Sequence, residues 1–325
     1  MPVCSRSSFC LDTVVSPHRQ RHLIHALAEK QPIRLPSHIG RLRGPNRFSI
    51  ADVRPPKYAF NMTSPADETR STSQLFDAAL QGDNDAAWNA VAALHWRGSS
   101  EVLDQALALV CSDDPTQRGR AADILGQIGI PDRTFPDQCF AAVLRLLADK
   151  NRQVVFDAIF ALQHIERTRA APYIIPFADH DWDNIRYAVA FALGAVDSAE
   201  AHSTLLSLMT DRDPEVRNWA TFGLGQQSNA DSDSEDIRRA LAVNLSDDDS
   251  DVRYEAIIGL GRRRDRRALG FLKTMLHNDP DDLFAREAAA KLLGFDESGD
   301  RATDELLGSL QRLQRWGGDG ASSSL

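Results

Sequence analysis

Histidines at helical spacing are the first residues in this sequence that could do chemistry. His18, His22 and His25 follow the i, i+4, i+7 pattern of one helix face, and imidazoles so placed could bind a metal ion. His180 and Asp181 place an imidazole beside a carboxylate, at a position typical of a helix start. The sequence contains no H-E-x-x-H, G-x-S-x-G, glycine-rich phosphate loop or C-x-x-C motif. We therefore predict no catalytic residue, no metal site and no cofactor.

Charge divides the chain into two parts. The 325 residues have a net charge of −9, but the first 61 contain ten Lys and Arg against three Asp and Glu, and the rest 27 against 43. We predict that residues 1–72 are a disordered basic leader outside the fold, with a transit peptide or a nucleic-acid-binding tail as alternatives. This leader contains the three spaced histidines. Residues 317–325 are rich in Gly and Ser and are predicted to be a flexible tail.

The composition also indicates where the protein resides. The four cysteines are scattered and the longest uncharged apolar run, residues 187–196, is too short to span a bilayer. We expect a cytoplasmic protein without membrane insertion.

A repeated pattern fills the part of the chain between leader and tail. Similar segments occupy residues 114–126, 182–194, 213–225, 249–261 and 282–294. Apolar residues lie one position before an anchor residue and three, six and seven after it, which is one face of a helix. The anchors are Ala87, Arg118, Val155, Arg186, Arg217, Arg253 and Arg286. The pattern predicts an all-α fold, an α-solenoid of about seven helix pairs with a C-terminal capping helix, over residues 73–316.

This pattern resembles the HEAT-like repeat family, in the short form found in phycobilisome-lyase-type proteins. The family motif, acidic-Pro-x-Val-Arg-x-x-Ala-x-x-x-Leu-Gly, is nearly complete at residues 213–225 and 249–261. The resemblance implies a concave face lined by the second helix of each pair. Because the sequence has no catalytic motif, we predict a non-enzymatic scaffold that binds another protein or peptide on this face. Two alternatives remain open, a bilin lyase or chromophore-binding chaperone, and a nucleic-acid-binding protein. The acidic body argues against the latter, although residues 262–267 contain five arginines.

The positions one and five residues after each anchor lie opposite the apolar stripe, so the resemblance places them on the concave face. Aromatic residues are concentrated there in the central repeats. We predict that this face binds a partner and is exposed, although the same rings could instead pack as core. The predicted partner-binding residues are Phe156, Phe160, Tyr187, Phe191, Phe222, Tyr254 and Ile258, together with Trp219, which is two residues after its anchor and borders the same surface.

The recurring Asp and Arg columns are predicted to be structural. An Asp at the start of a second helix is a good N-cap, a Pro at its first position (Pro115, Pro214, Pro280) needs no hydrogen-bond acceptor, and the Gly near its end favours a left-handed C-cap. The Asp and Arg side chains are expected to form a hydrogen-bonded ladder between consecutive turns. The predicted ladder residues are Asp114, Arg118, Arg186, Asp213, Arg217, Asp249, Arg253, Asp282 and Arg286. Two acidic runs, 231–236 and 247–251, are predicted to be solvated turns that could present an acidic edge to a basic partner.

Overall fold

The computed structural model describes residues 68–228, 232–295 and 301–315, and the described residues contain α-helices and no β-strand. Most of the predicted leader and all of the predicted tail lie outside these ranges. The helices are α1 Thr72–Ala79, α2 Asp85–Arg97, α3 Ser100–Val110, α4 Pro115–Gln127, α5 Pro136–Leu146, α6 Arg152–Ile174, α7 Asp183–Leu193, α8 Ala199–Leu208, α9 Pro214–Phe222, α10 Glu235–Asn244, α11 Ser250–Arg262, α12 Leu269–Asn278, α13 Leu283–Leu293 and α14 Thr303–Arg315.

The helices follow one another along the chain as seven pairs, and α14 comes after the last pair. Helix α6 serves two of these pairs because its backbone breaks at Glu166, where φ is −161° and ψ is 85°. Residues after this kink form the first helix of the pair completed by α7. The predicted all-α repeat fold, with about seven helix pairs and a C-terminal helix, is therefore confirmed.

The described residues divide into two compact units, one within residues 68–109 and 127–135 and the other within residues 110–126 and 136–315. In the first unit, α1 packs on α2 through buried Leu75, Phe76 and Leu94. Arg97 donates to the carbonyl of Arg70 at 2.7 Å and to the hydroxyl of Thr72 at 3.1 Å. These two acceptors lie just before the predicted start of the repeats, so the contacts of α2 extend into that segment.

Small residues let the second helices of consecutive pairs approach closely in the second unit. The column three residues after each anchor is fully buried: Ala121, Ala158, Val189, Ala220, Ala256 and Ala289. A Cβ atom added to Gly261 of α11 would lie 2.5 Å from the carbonyl oxygen of Ala288 of α13. Backbone therefore meets backbone at this contact, which is why the position carries glycine.

The glycines at the ends of the motif were predicted to be left-handed C-caps, and this is correct only for Gly294, with φ of +81°. The other four, Gly126, Gly194, Gly225 and Gly261, have no left-handed backbone. At each of them an atom of a neighbouring segment lies within 3.3 Å of where a Cβ would be, so these positions carry glycine for space and not for a left-handed backbone.

Helix starts follow the prediction with one exception. The side chains of Asp213, Asp249 and Asp282 accept hydrogen bonds from the first backbone amides of α9, α11 and α13. Pro214 is the first residue of α9, as predicted. Pro280 is not the first residue of α13, because Asp282 caps that helix and the helix begins at Leu283.

Candidate functional site

An arginine–aspartate ladder joins consecutive repeats of the second unit. It consists of three pairs, Arg118–Asp149, Arg186–Asp211 and Arg217–Asp247, in which the Nε and Nη2 atoms of the arginine each donate to one carboxylate oxygen at 2.6–2.9 Å. Each arginine also donates through Nη1 to carbonyl groups of the turn that precedes its own helix. The guanidinium thus links its own turn to the turn of the following repeat.

The acidic members of the ladder differ from those predicted. Asp114, Asp213, Asp249 and Asp282 accept from amides at helix starts, so their carboxylates are occupied locally. The ladder uses the acid two residues before an N-cap instead. The sequence signal for it was present, since Asp149, Asp211 and Asp247 recur at this offset, but which carboxylate reaches the arginine depends on the shape of the turn.

Pairing with arginine changes the ionisation of these carboxyls. The hydrogen bond from Arg118 holds the pKa of Asp149 below its usual value. Burial opposes ionisation at Asp211 and Asp247, but the arginine and backbone hydrogen bonds outweigh it, so their pKa values are lowered as well.

The last two predicted ladder arginines have no carboxylate partner among the described residues. Arg253 donates only to the carbonyls of Asp247 and Asp248, at 2.7 and 3.0 Å. Arg286 donates to the hydroxyl of Thr303 and the carbonyl of Arg301, which lie at the start of α14. The ladder therefore ends before α13, and α14 accepts the last arginine in place of a further repeat.

Seven aromatic rings of α6, α7 and α9 form a continuous ring cluster, with neighbouring ring centroids 4.9–6.5 Å apart. They are Phe156, Phe160, Trp182, Tyr187, Phe191, Trp219 and Phe222. The sequence predicted six of them as neighbours. It missed Trp182, the N-cap residue of α7, because that residue lies outside the helical columns.

Exposure of the predicted face is only partial. Phe191, Phe222 and Ile258 are 4%, 5% and 1% exposed and belong to the core, so the prediction that they are exposed is wrong. Phe156, Phe160, Tyr187 and Trp219 are part-exposed, as is Tyr254. In α7, α9 and α11 the residue five after the anchor is buried, whereas in α6 both Phe156 and Phe160 are part-exposed. Burial and the nearby charge of Glu215 raise the pKa of Tyr187.

Tyr254 and Ile258 do not extend the ring cluster. The ring of Tyr254 contacts Phe284 of α13 at 4.7 Å, and its hydroxyl donates to Asp282 at 3.4 Å. Among the described residues, the ring cluster is therefore confined to α6, α7 and α9.

Charged side chains border the ring cluster on two sides. The guanidinium of Arg152 stacks over Trp182 at 4.5 Å, and the carboxylates of Asp181 and Asp183 are exposed on either side of that ring in sequence. At the other border, Arg167 lies 5.9 Å from the Phe191 ring centroid and donates to Gln163 at 2.6 Å. Burial lowers the pKa of Arg167 to about 10.

The arginine-rich turn at residues 262–267 is largely used within the protein. Arg263 donates to Asp233 and to the carbonyl of Gly225, and Arg267 donates to Asp265 and Glu235. Asp233 belongs to one predicted acidic run, whose first residue lies outside the described residues.

Among the described residues, no group of three His, Cys, Asp or Glu side chains is placed to hold a metal ion. None of the helices described is both long and apolar enough to cross a membrane.

A family model described as HEAT repeats matches residues 140–225, 203–294 and 237–315, which together span more than half of the chain. The chain belongs to the HEAT repeat family. The resemblance drawn from the sequence motif is thereby confirmed.

Individual HEAT repeat relatives are similar over most of the described residues. Protein YibA of Escherichia coli K12 is 30% identical over 209 residues, which cover 61% of this chain and 72% of YibA. The X-ray structure of E. coli YibA aligns with a TM-score of 0.62 and 26% identity, and covers 75% of this chain and 93% of that chain. A chain of the CpcE–CpcF complex of phycocyanin lyase from Nostoc sp. aligns with a TM-score of 0.42 and 17% identity, covering 76% and 96%.

Proposed function

We propose that this HEAT repeat protein is a non-enzymatic, cytoplasmic scaffold that binds a partner protein through the ring cluster. The observation that carries the proposal is the continuity of the rings across α6, α7 and α9, the second helices of three successive repeats, with Phe156, Phe160, Tyr187 and Trp219 part-exposed. Contiguous apolar surface that remains accessible is characteristic of protein-binding sites, and Trp and Tyr are frequent anchors in them.

The charges beside the rings favour a particular partner. Asp181 and Asp183 border Trp182, and the charge of Glu215 acts on Tyr187. Arg152 already stacks on Trp182, which illustrates how a cation is held against this surface. A segment with an apolar face flanked by Lys or Arg complements these features, as in an amphipathic helix with a basic border.

Binding of designed peptides tests this proposal. Two helical peptides with the same leucine face, one with lysine and one with glutamate at the polar positions, are titrated against the full chain by calorimetry in 0.15 M salt. We expect the lysine peptide to bind and the glutamate peptide to bind about ten-fold more weakly or not at all.

Substitutions in the ring cluster test whether the lysine peptide binds to the rings or is only attracted by the net negative charge of the protein. Replacing Phe156 and Trp219 by Ser is expected to weaken the lysine peptide about ten-fold, whereas Val243→Ser, at a residue 65% exposed on α10, leaves binding unchanged. Equal affinity of the ring variant and the wild type, with both proteins folded, would refute the proposal. Phe191 and Phe222 are unsuitable for this test because their loss would disturb the core.

A further inference from the structure

A cavity of about 440 Å³ lies where the arginine–aspartate ladder is interrupted. It is bordered by α11, by α12, by Leu245 at the end of α10 and by the turn between α12 and α13. Arg253, Tyr254, Asp279 and Asp282 provide its polar border. Its volume is within the range of small-molecule sites in proteins.

The interruption has a definite cause in the sequence. In the three ladder pairs, the carboxylate two residues before an N-cap accepts the arginine of the preceding repeat. At α13 the N-cap is Asp282, so the equivalent position is Pro280, which has no side-chain acceptor. The repeat is thus built like the others except that it lacks the carboxylate.

Arg253 is consequently a ladder arginine with only half of its usual contacts. Its Nη1 atom binds the carbonyls of its own turn, as in the other repeats. Its Nε and Nη2 atoms, the pair that binds a carboxylate elsewhere in the ladder, have no hydrogen-bond acceptor among the described residues. The repeat with His180 at the equivalent position also lacks the acid, but its anchor is Val155, so no guanidinium is left there.

The walls of the cavity indicate which other groups a bound carboxylate compound would carry. Leu245, Ile257, Phe271 and Met275 line it with apolar surface, and Phe271 is 41% exposed. Asp279 accepts one backbone hydrogen bond, from Asp281 at 3.1 Å, and forms no ion pair with a described residue. One of its carboxylate oxygens is thus available to accept from an ammonium group.

We propose that this cavity binds a small apolar molecule through its carboxylate, which takes the place of the ladder aspartate on Arg253. A bidentate guanidinium–carboxylate pair is strong and geometrically selective, and the three intact pairs set its geometry. An apolar α-amino acid fits all three elements, because its ammonium group would lie toward Asp279 and its side chain against Phe271 and Met275. This inference is independent of the ring cluster.

Three related probes test the chemistry. The full chain is titrated with L-leucine, 4-methylpentanoate and 3-methylbutylamine, with binding followed by ligand-observed NMR. L-leucine and the carboxylate are expected to bind, with the amino acid tighter, and the amine is expected not to bind. Binding of the amine as tight as that of the carboxylate would overturn the proposal, as would failure of both carboxylates to bind.

Two variants tie binding to the ladder position. Arg253→Met is expected to weaken the binding of L-leucine about ten-fold or more. Arg239→Met, at an exposed arginine of α10, is expected to leave this affinity unchanged. Pro280→Asp supplies the missing carboxylate and is expected to compete with the probe, lowering its affinity while raising the melting temperature. If Pro280→Asp does not fold, the Arg253→Met result decides alone, and unchanged affinity in that variant contradicts the site.

Discussion

Arg217 and Asp247 join two consecutive helix pairs through two parallel hydrogen bonds, each 2.7 Å long. The arginine side chain is 17% exposed and the aspartate side chain 9%, so the pair is shielded from solvent more than a surface ion pair. Its carboxylate also accepts from the backbone amide of Asp249. One interaction therefore fixes the turn of one repeat and positions the guanidinium of the other.

We expect Arg217→Met to lower the free energy of unfolding by roughly 2 kcal/mol, because it leaves a part-buried carboxylate without its partner. Urea denaturation followed by circular dichroism measures this. The matched control is Arg239→Met, which removes an exposed pair with Asp236 and should change stability by less than about 0.5 kcal/mol. Equal effects of the two variants would mean that the ladder does not stabilise the repeats.

Acidification should weaken the ladder. The pKa values of Asp149, Asp211 and Asp247 are lowered in the folded protein, so their contribution is present above the unfolded value near 4 and is lost as the pH falls through the folded values. Urea midpoints at pH 7, 4 and 3 measure the loss. Between pH 7 and pH 3, the Asp247→Asn variant should lose less stability than the wild type. The Asp236→Asn variant should lose as much stability as the wild type.

Glycines in similar helices should respond in opposite directions to alanine. Gly261→Ala places a Cβ atom 2.5 Å from the Ala288 carbonyl oxygen and should cost about 1–3 kcal/mol. Gly270→Ala in α12 meets no atom within 4 Å and should stabilise the protein by about 0.5–1 kcal/mol, because alanine favours the helix. Thermal denaturation of both variants checks the signs, and a neutral Gly261→Ala would show that α11 and α13 can separate.

Arg167 and Gln163 should be replaceable together but not separately. Nη1 of Arg167 and Nε2 of Gln163 are buried and have no hydrogen-bond partner among the described residues. The double variant with Met at 167 and Leu at 163 should be at least as stable as the wild type, because no polar group is left unsatisfied. Gln163→Leu alone removes the acceptor of the guanidinium and should destabilise by about 1–3 kcal/mol. Urea denaturation of the wild type, of Gln163→Leu and of the double variant checks this prediction. If the variants only lost packing contacts, the double variant would be the least stable of the three.

Periodicity predicted the helix pairs well because each pair buries the same columns. Ala220 and Ala256 occupy equivalent positions and are both fully buried, and Asp213 and Asp249 both cap their helices. These properties depend on neighbours in sequence or on one repeated contact, so a single sequence contains them.

Features that depend on the next repeat were not predictable in the same way. Phe191 is more deeply buried than Tyr187, and this difference in depth within α7 depends on contacts with residues of other helices, which the helical period does not contain. The ladder acceptor depends on the path of a turn some 30 residues away in the chain. Pro280 matched a helix-start signal in sequence, yet Asp282 caps the helix and α13 begins three residues after the proline, which takes the place of an acceptor.

The contact between α11 and α13 is closed along its length, by Gly261 against Ala288 and by Tyr254 against Phe284, whereas the space between α11 and α12 is open. A molecule that fills this gap would add contacts between α11 and α12. The final two helix pairs would then be held together on both sides of α11 and not through α13 alone.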